Sequence, residues 1–109
     1  MMEAPDFAEA AFHVGQVIQH KIFGYRGVIV DVDSHFLGTP GWYDNVAKSR
    51  PPKDRPWYHV LVDGGLQKTY VAERNLKPDR SGDAINHPEV SLHFERLIGD
   101  TYRTRQRNN

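Results

Sequence analysis

A mainly β fold, built as a small antiparallel barrel with a long inserted loop and a short C-terminal helix, is predicted by three features of this 109-residue chain. Two runs, Gly24 to Asp33 and Trp57 to Asp63, are rich in β-branched and aromatic residues. An Asp63-Gly64-Gly65 reversal follows the second run, and the remaining apolar stretches are strand-sized and separated by close turns.

The first run is the organising strand. Successive side chains of a strand point to opposite faces, so Val28, Val30 and Val32 share one face and Ile29, Asp31 and Asp33 the other. In the second run Tyr58, Val60 and Val62 oppose Trp57, His59 and Leu61. The two runs form a natural antiparallel pair. Both also carry apolar groups on the nominally solvated side, Ile29 on one and Trp57 and Leu61 on the other. Such groups require a cover, supplied by the 34–56 loop, by the C-terminal helix or by a second subunit.

Upstream, Val14 to His20 reads as a turn leading into a short strand, and Lys21 to Tyr25 connects it to the organising strand. Gly27 marks a bulge or a close backbone approach. Residues 34–56 hold Gly38, Pro40, Gly41, Pro51, Pro52 and Pro56 with no sustained period, which defines a long loop. A helical turn is expected within it from Tyr43 to Lys48. Glycine supplies the positive φ that a tight reversal needs, so Asp63-Gly64-Gly65 joins the Trp57 run to a strand over Gln67–Ala72. Glu73 to Leu76 reads as one tight turn, and Leu76-Lys77 as a very short last strand before Pro78. Four or five short strands with close turns suit a small open barrel of the SH3-like kind, with a core of Val17, Val28, Val30, Val32, Tyr58, Val60, Val62 and Tyr70.

After a polar, turn-rich stretch, Pro88 and Glu89 sit where a helix begins, and Val90, Phe94, Leu97 and Ile98 recur at helical spacing. Val90, Leu92 and Phe94 also alternate as in a strand; the helical reading, ending near Gly99, is preferred. The chain is therefore divided into a flexible leader (1–12), one domain (13–99) and a flexible basic tail (100–109). Within the leader, Phe7 and Ala11 lie one helical turn apart, compatible with a short frayed helix or with an unstructured segment.

Composition narrows function. There are no cysteines, so disulfides, thiolate zinc sites and cysteine nucleophiles are excluded. No apolar run reaches bilayer length and the first residues lack signal-peptide features, so a soluble, cytoplasmic protein is expected. Lysines and arginines balance acidic residues, 14 to 14. A net charge of zero argues against a general nucleic-acid coat. The distribution is uneven, however: residues 48–55 (Lys48, Arg50, Lys53, Arg55 against Asp54) and 96–109 (Arg96, Arg103, Arg105, Arg107 against Asp100) each carry +3, leaving −6 elsewhere.

Six histidines form no His-x-x-x-His pair, and His87 and His93 stand nearly two helical turns apart, so packed or surface histidines are the economical reading. Asp31 and Asp33 share a strand face, which a solvated outer surface explains. Ser34, Ser49, Ser81 and Ser91 occupy no nucleophile elbow, and no Gly-rich phosphate loop precedes a helix. The expectation is no enzyme, no metal and no cofactor.

Several blocks in order resemble a known family: Gly15-Gln16; His20 with Phe23-Gly24-Tyr25-Arg26-Gly27-Val28-Ile29; Pro56-Trp57-Tyr58-His59-Val60-Leu61-Val62; Tyr70-Val71-Ala72-Glu73 with Asn75-Leu76; and His87-Pro88 with Phe94. Together they resemble the HspQ heat-shock proteins, the YccV-like or hemimethylated-DNA-binding domain, over roughly residues 12–102. The resemblance implies an SH3-like barrel, a heat-shock role, binding to hemimethylated DNA, and regulation of the protease Lon and its turnover of denatured or unstable client proteins. It also implies homo-oligomers, trimers among them, and supplies no catalytic residues.

Two function classes follow. As a DNA-binding domain the chain would contact phosphates through Lys48, Arg50, Lys53, Arg55, Arg103 and Arg105. As a protein-interaction module it would use Trp42, Tyr43, Trp57, Leu61 and Ile29.

Overall fold

The computed structural model describes residues 9–105. Five strands, β1 (Val17–His20), β2 (Arg26–Asp33), β3 (Trp57–Val62), β4 (Lys68–Ala72) and β5 (Leu76–Pro78), form one antiparallel sheet in the order β4-β3-β2-β1-β5. A short helix, α1 (Pro40–Val46), lies in the β2–β3 connection; one helical turn, α2 (Val90–His93), precedes a separate hairpin of β6 (Phe94–Ile98) and β7 (Thr101–Thr104). The sheet is not closed, because β4 and β5 remain its two edges.

β2 and β3 pair from Gly27↔Val62 to Asp33↔Trp57, with a bulge between Ile29 and Asp31. A bulge inserts one unpaired residue and re-phases everything beyond it. Before it, Val28 opposes Leu61 and Ile29 opposes Val60; after it, Asp31 opposes His59 and Val32 opposes Tyr58. Val32 therefore joins Ile29, Val60 and Tyr58 on one face, whereas Val28 and Val30 pack with Leu61 on the other. The single valine face expected from strict alternation is thus split, and the core lies on both sides of the sheet. Gly27 is not the bulge but the close approach: a Cβ there would stand 2.6 Å from the Leu61 carbonyl oxygen.

Cover for both faces comes from within the chain. Val17, Val28 and Leu61 are sealed by Ile85, Phe94 and Tyr102, which belong to the C-terminal segment and hairpin. Ile18, Ile29, Tyr58, Val60, Val71 and Leu76 fill the opposite side, flanked by Phe12, Tyr25 and Val32. A third cluster of Tyr43, Trp57 and Ala72, with Phe36, Trp42, Ala47 and Tyr70 against it, lies under the β2–β3 connection. Ile29 and Leu61 are 0% exposed and Trp57 1%. Burial of this kind, about 25 cal/mol per Å² of apolar surface, is the main stabilising contribution.

The C-terminal region departs from expectation. Phe94–Ile98 is a strand, not the second half of a helix, and Gly99 with Asp100 is a two-residue hairpin turn in which Gly99 adopts φ +66. The turn signal Gly-Asp outweighs the helical recurrence, because hairpin burial of Phe94 and Tyr102 satisfies the sheet face that needs cover. Thr101–Thr104, expected in a flexible tail, is strand β7, and Gln16 bridges to Thr101. Gly15, at φ +92, allows that approach: a Cβ there would collide with the Tyr102 carbonyl oxygen. Residues 106–109 and 1–8, including Phe7, lie outside the described residues. Ala11 and Phe12, assigned to the leader, are held: Ala11 N donates to Glu73 Oε1 (2.8 Å) and Phe12 N to the Tyr58 hydroxyl (3.2 Å).

Other elements follow the sequence closely, save that the helical turn expected from Tyr43 to Lys48 begins three residues earlier and ends at Val46. In α1, Thr39 caps the helix by accepting from Trp42 N at 3.1 Å, and Pro40 occupies the first turn. Glu73–Asn75 is a single 3-10 turn and Leu76–Pro78 the short strand after it. Gly64, at φ +92, makes the β3–β4 reversal.

A polar node ties the sheet to the 79–86 segment. Arg26 Nε meets Asp79 Oδ2 at 3.1 Å, its Nη1 meets Asp63 Oδ2 at 3.2 Å and its Nη2 donates to the Asp83 carbonyl at 2.6 Å. Burial pushes the Asp79 carboxyl upward, but hydrogen bonds from Ser81 and Arg26 and the Arg26 charge outweigh it and leave the group below its ordinary value. A depressed carboxylate contributes stability that is complete above its unfolded value, 3.8, and is lost as pH falls through the lower folded value. Arg26→Ala is therefore expected to cost about 2 kcal/mol at neutral pH by chemical denaturation. The difference between variant and wild type should shrink as the pH falls below 3.8 and on through the lower folded value, where Asp79 protonates in the wild type as well.

Candidate nucleic-acid interface and the adjoining groove

The basic segment 48–55 is the C-terminal half of the β2–β3 connection, held down by aromatic packing. Tyr43, 4% exposed, donates its hydroxyl to the Pro51 carbonyl at 2.5 Å, and Trp57 Nε1 donates to the Pro52 carbonyl at 3.1 Å. Lys53 Nζ stands 4.3 Å from the Tyr43 ring centroid and the Arg50 guanidinium 5.0 Å from it. Arg50 also pairs with Asp44 at 3.2 Å, both side chains being well exposed, so that pair contributes little to stability. Lys48 and Arg55 carry no ion pair among the described residues.

A fifth cation joins this segment. Arg74 Nη2 donates to the Ser49 carbonyl at 2.7 Å, and Arg55 and Arg74 border one small depression with Glu73. Arg74 lies 19 positions beyond Arg55 in sequence, so only the fold could assign it. Arg103 and Arg105 do not join the segment: they lie on and just past β7, where Arg103 faces Glu95 at 3.7 Å and Arg105 Nε donates to the Ser91 carbonyl at 2.6 Å.

The residues expected to meet a partner are placed differently from one another. Ile29, Leu61, Trp57 and Tyr43 are buried in the core, so these four offer no contact surface; alternation along each strand gave their face but not the cover that the chain itself provides. Trp42 is half-buried and lines a groove of about 1320 Å³ beside β4. Exposed apolar groups that sequence reasoning passed over border the same groove, Phe23 at 77% and Ile22 at 60%.

The bulge also assembles a polar cluster in that groove. Asp31, Asp33 and His59 point to one face, their ligand atoms within 4.8 Å of one another. Asp33 Oδ2 faces His59 Nε2 at 3.1 Å and accepts from the Tyr70 hydroxyl at 2.6 Å. Burial, then that hydrogen bond, pushes the Tyr70 phenol above its usual range. The sequence placed Asp31 and Asp33 together but not His59, because cross-strand register is invisible without the fold.

A family model described as "Hemimethylated DNA-binding protein YccV like" matches residues 10–101. The chain belongs to the YccV-like family. In this YccV-like chain the match runs from before β1 to the first residue of β7, so the basic segment, the groove and β6 lie within the family's span, and β7 beyond Thr101 does not. No helix among the described residues is long and apolar enough to cross a membrane.

Two titration and mutation effects test this geometry. His20 is 5% exposed, and its Nδ1 accepts from Ile22 N and Phe23 N, each at 3.1 Å. Burial lowers its pKa from 6.5, so the turn is stable above that value and loosens as pH falls through the lower folded one. Amide exchange at Ile22 and Phe23, corrected for intrinsic pH dependence, should accelerate on acidification below about pH 6.5, and should not do so in a variant lacking the imidazole. Tyr70→Phe removes the donor to Asp33 and the acceptor for Leu37 N at 3.1 Å. The expected cost is about 1 to 2 kcal/mol in a urea titration, with faster amide exchange at Leu37.

Proposed function

We propose that this chain binds duplex DNA, hemimethylated duplexes among them, through the surface formed by Lys48, Arg50, Lys53, Arg55 and Arg74. The observation that carries the reading is the convergence of Arg74 on the basic 48–55 segment through Ser49, beside the half-buried Trp42. Membership of the YccV-like family supports it. Cations of this kind contact phosphates and position a duplex without reading its sequence. Discrimination of a methyl group needs an apolar or aromatic contact in a groove, a role Trp42 suits. Arg103 and Arg105 are secondary phosphate contacts, on a separate hairpin.

Regulation of Lon and of the turnover of denatured or unstable proteins under stress is the second reading, with homo-oligomerisation as part of it. Exposed apolar groups that phosphate binding does not use, Phe23, Ile22 and Leu66, favour it. The neutral overall charge suits it too.

Anisotropy titrations with matched unmethylated, hemimethylated and fully methylated duplexes over a salt series separate these readings. Joint replacement of Lys48, Arg50, Lys53, Arg55 and Arg74 by Ala should weaken all three duplexes alike and flatten the salt slope by about 0.9 for each phosphate that is no longer neutralised. Trp42→Ala should instead reduce the preference among duplexes while leaving the slope. An unchanged affinity and slope in the fivefold variant would remove this surface as the DNA-facing element. Lon degradation of an unfolded protein, with and without this chain, tests the second reading.

A further inference from the structure

We propose that the free edge of β4 takes up an extended polypeptide segment of another protein as a sixth strand, with cationic or polar side chains toward one face and apolar ones toward the other. The inference does not depend on the DNA reading; it gives the protein-interaction reading a place and an occupant.

The phase of the β3–β4 ladder carries the argument. Val62 N donates to the Gln67 carbonyl at 3.0 Å and Glu73 N to the Pro56 carbonyl at 3.1 Å, one at each end of the pair. Antiparallel pairs alternate, so Thr69 and Val71 direct their backbone groups at β3, while Lys68 and Tyr70 direct theirs outward. Among the described residues β4 has no strand beyond it. Outward N–H and C=O groups on a strand edge are a template for an extended chain.

The groove wraps that edge, and its two sides differ in chemistry. Side chains of Lys68 and Tyr70 share a face with His59 and Asp31, and Trp42 borders this side. Asp31 is exposed and carries no ion pair among the described residues, while Lys68 is neutralised by Glu89 at 2.9 Å. Trp42 and Tyr70 stand at 63° with centroids 5.7 Å apart, presenting ring surface beside a carboxylate, which suits an alkylammonium or guanidinium group. Across the edge, Thr69 and Val71 share the face of Tyr25, whose hydroxyl bonds Thr69 at 2.8 Å. There Phe23 stacks on His20 at 4.7 Å and leaves most of its ring exposed. A sixth strand would place alternate side chains on these two sides.

Lys68 is the first residue of β4, a position that tolerates proline, and its N–H faces away from β3. Lys68→Pro thus deletes an outward donor without breaking the ladder, and Lys68→Ala controls for removal of the Glu89 pair. The probe is an end-blocked octapeptide of alternating valine and lysine, compared with valine–glutamate and with a version carrying a central proline. Binding is read by NMR titration, amide exchange at Lys68 and Tyr70, and solution scattering.

The expected result is protection of those two amides on addition of the valine–lysine peptide, with the glutamate and proline peptides at least about tenfold weaker. Lys68→Pro and, independently, Phe23→Ser should each weaken binding by about tenfold, and Lys68→Ala by less than about threefold. Should Lys68→Pro fail to fold, Phe23→Ser and Asp31→Lys carry the test on the unaltered backbone. Equal binding of the proline peptide, unchanged binding in Phe23→Ser and Asp31→Lys, or edge amides already protected in a species heavier than one chain would overturn the proposal. The last would assign the edge to a second copy.

Discussion

The β2–β3 ladder is buried on both faces, and most of the architecture follows from the need to cover it twice. An antiparallel sheet with one wet face asks for a single layer of packing, but Ile29 and Val60 on one side and Val28 and Leu61 on the other leave no solvated face along this stretch. One side is filled by side chains of the sheet's own strands, with Phe12 and Tyr25 brought onto it; the other is shared by the C-terminal hairpin and the α1-bearing connection. Removing either cover would expose core side chains of the same central pair, which couples the ends of the chain to its middle.

The bulge at Val30 converts that packing constraint into a site. By inserting one residue into β2, it turns Asp31 and Asp33 toward the face that bears His59 and Trp57. Carboxylates then stand at the border of an aromatic cluster, and Tyr70 and His59 satisfy Asp33. A half-buried carboxylate without such partners would be costly, and the phenol and imidazole allow it to remain beside Trp57. The groove opens beside this cluster, and on this face Trp42 of α1 and, at α2, Glu89 and His93 border it.

Electrostatics act locally in this molecule. With zero net charge the field is set by local clusters, and among the described residues Arg74 joins the basic 48–55 segment at Ser49, while Arg103 and Arg105 stand apart on the C-terminal hairpin. Aromatic packing restricts the 48–55 segment: Tyr43 and Trp57 bond the carbonyls of Pro51 and Pro52, so the cations sit on an anchored segment rather than a loose loop. The Arg26 node performs a similar task at the opposite end of β2, drawing the polar 79–86 stretch across so that Ile85 can reach the core.

Sequence alone determined the short-range facts. Strand identity for β1 to β5, the reversal at Gly64, the turn at Glu73–Asn75 and the presence, though not the bounds, of a helical turn in the long connection were legible because each rests on propensity or glycine conformation within a few residues. The basic 48–55 segment and the ordered family blocks were legible for the same reason. Only the tertiary structure decided what depends on register and cover: the splitting of Val28 and Val32 between faces by a bulge, the meeting of His59 with Asp31 and Asp33, and the arrival of Arg74 at Ser49. It also decided that Phe94–Ile98 is a strand. Its apolar spacing fits both periods, and the choice falls to whichever form covers Val28 and Leu61, residues more than thirty positions away.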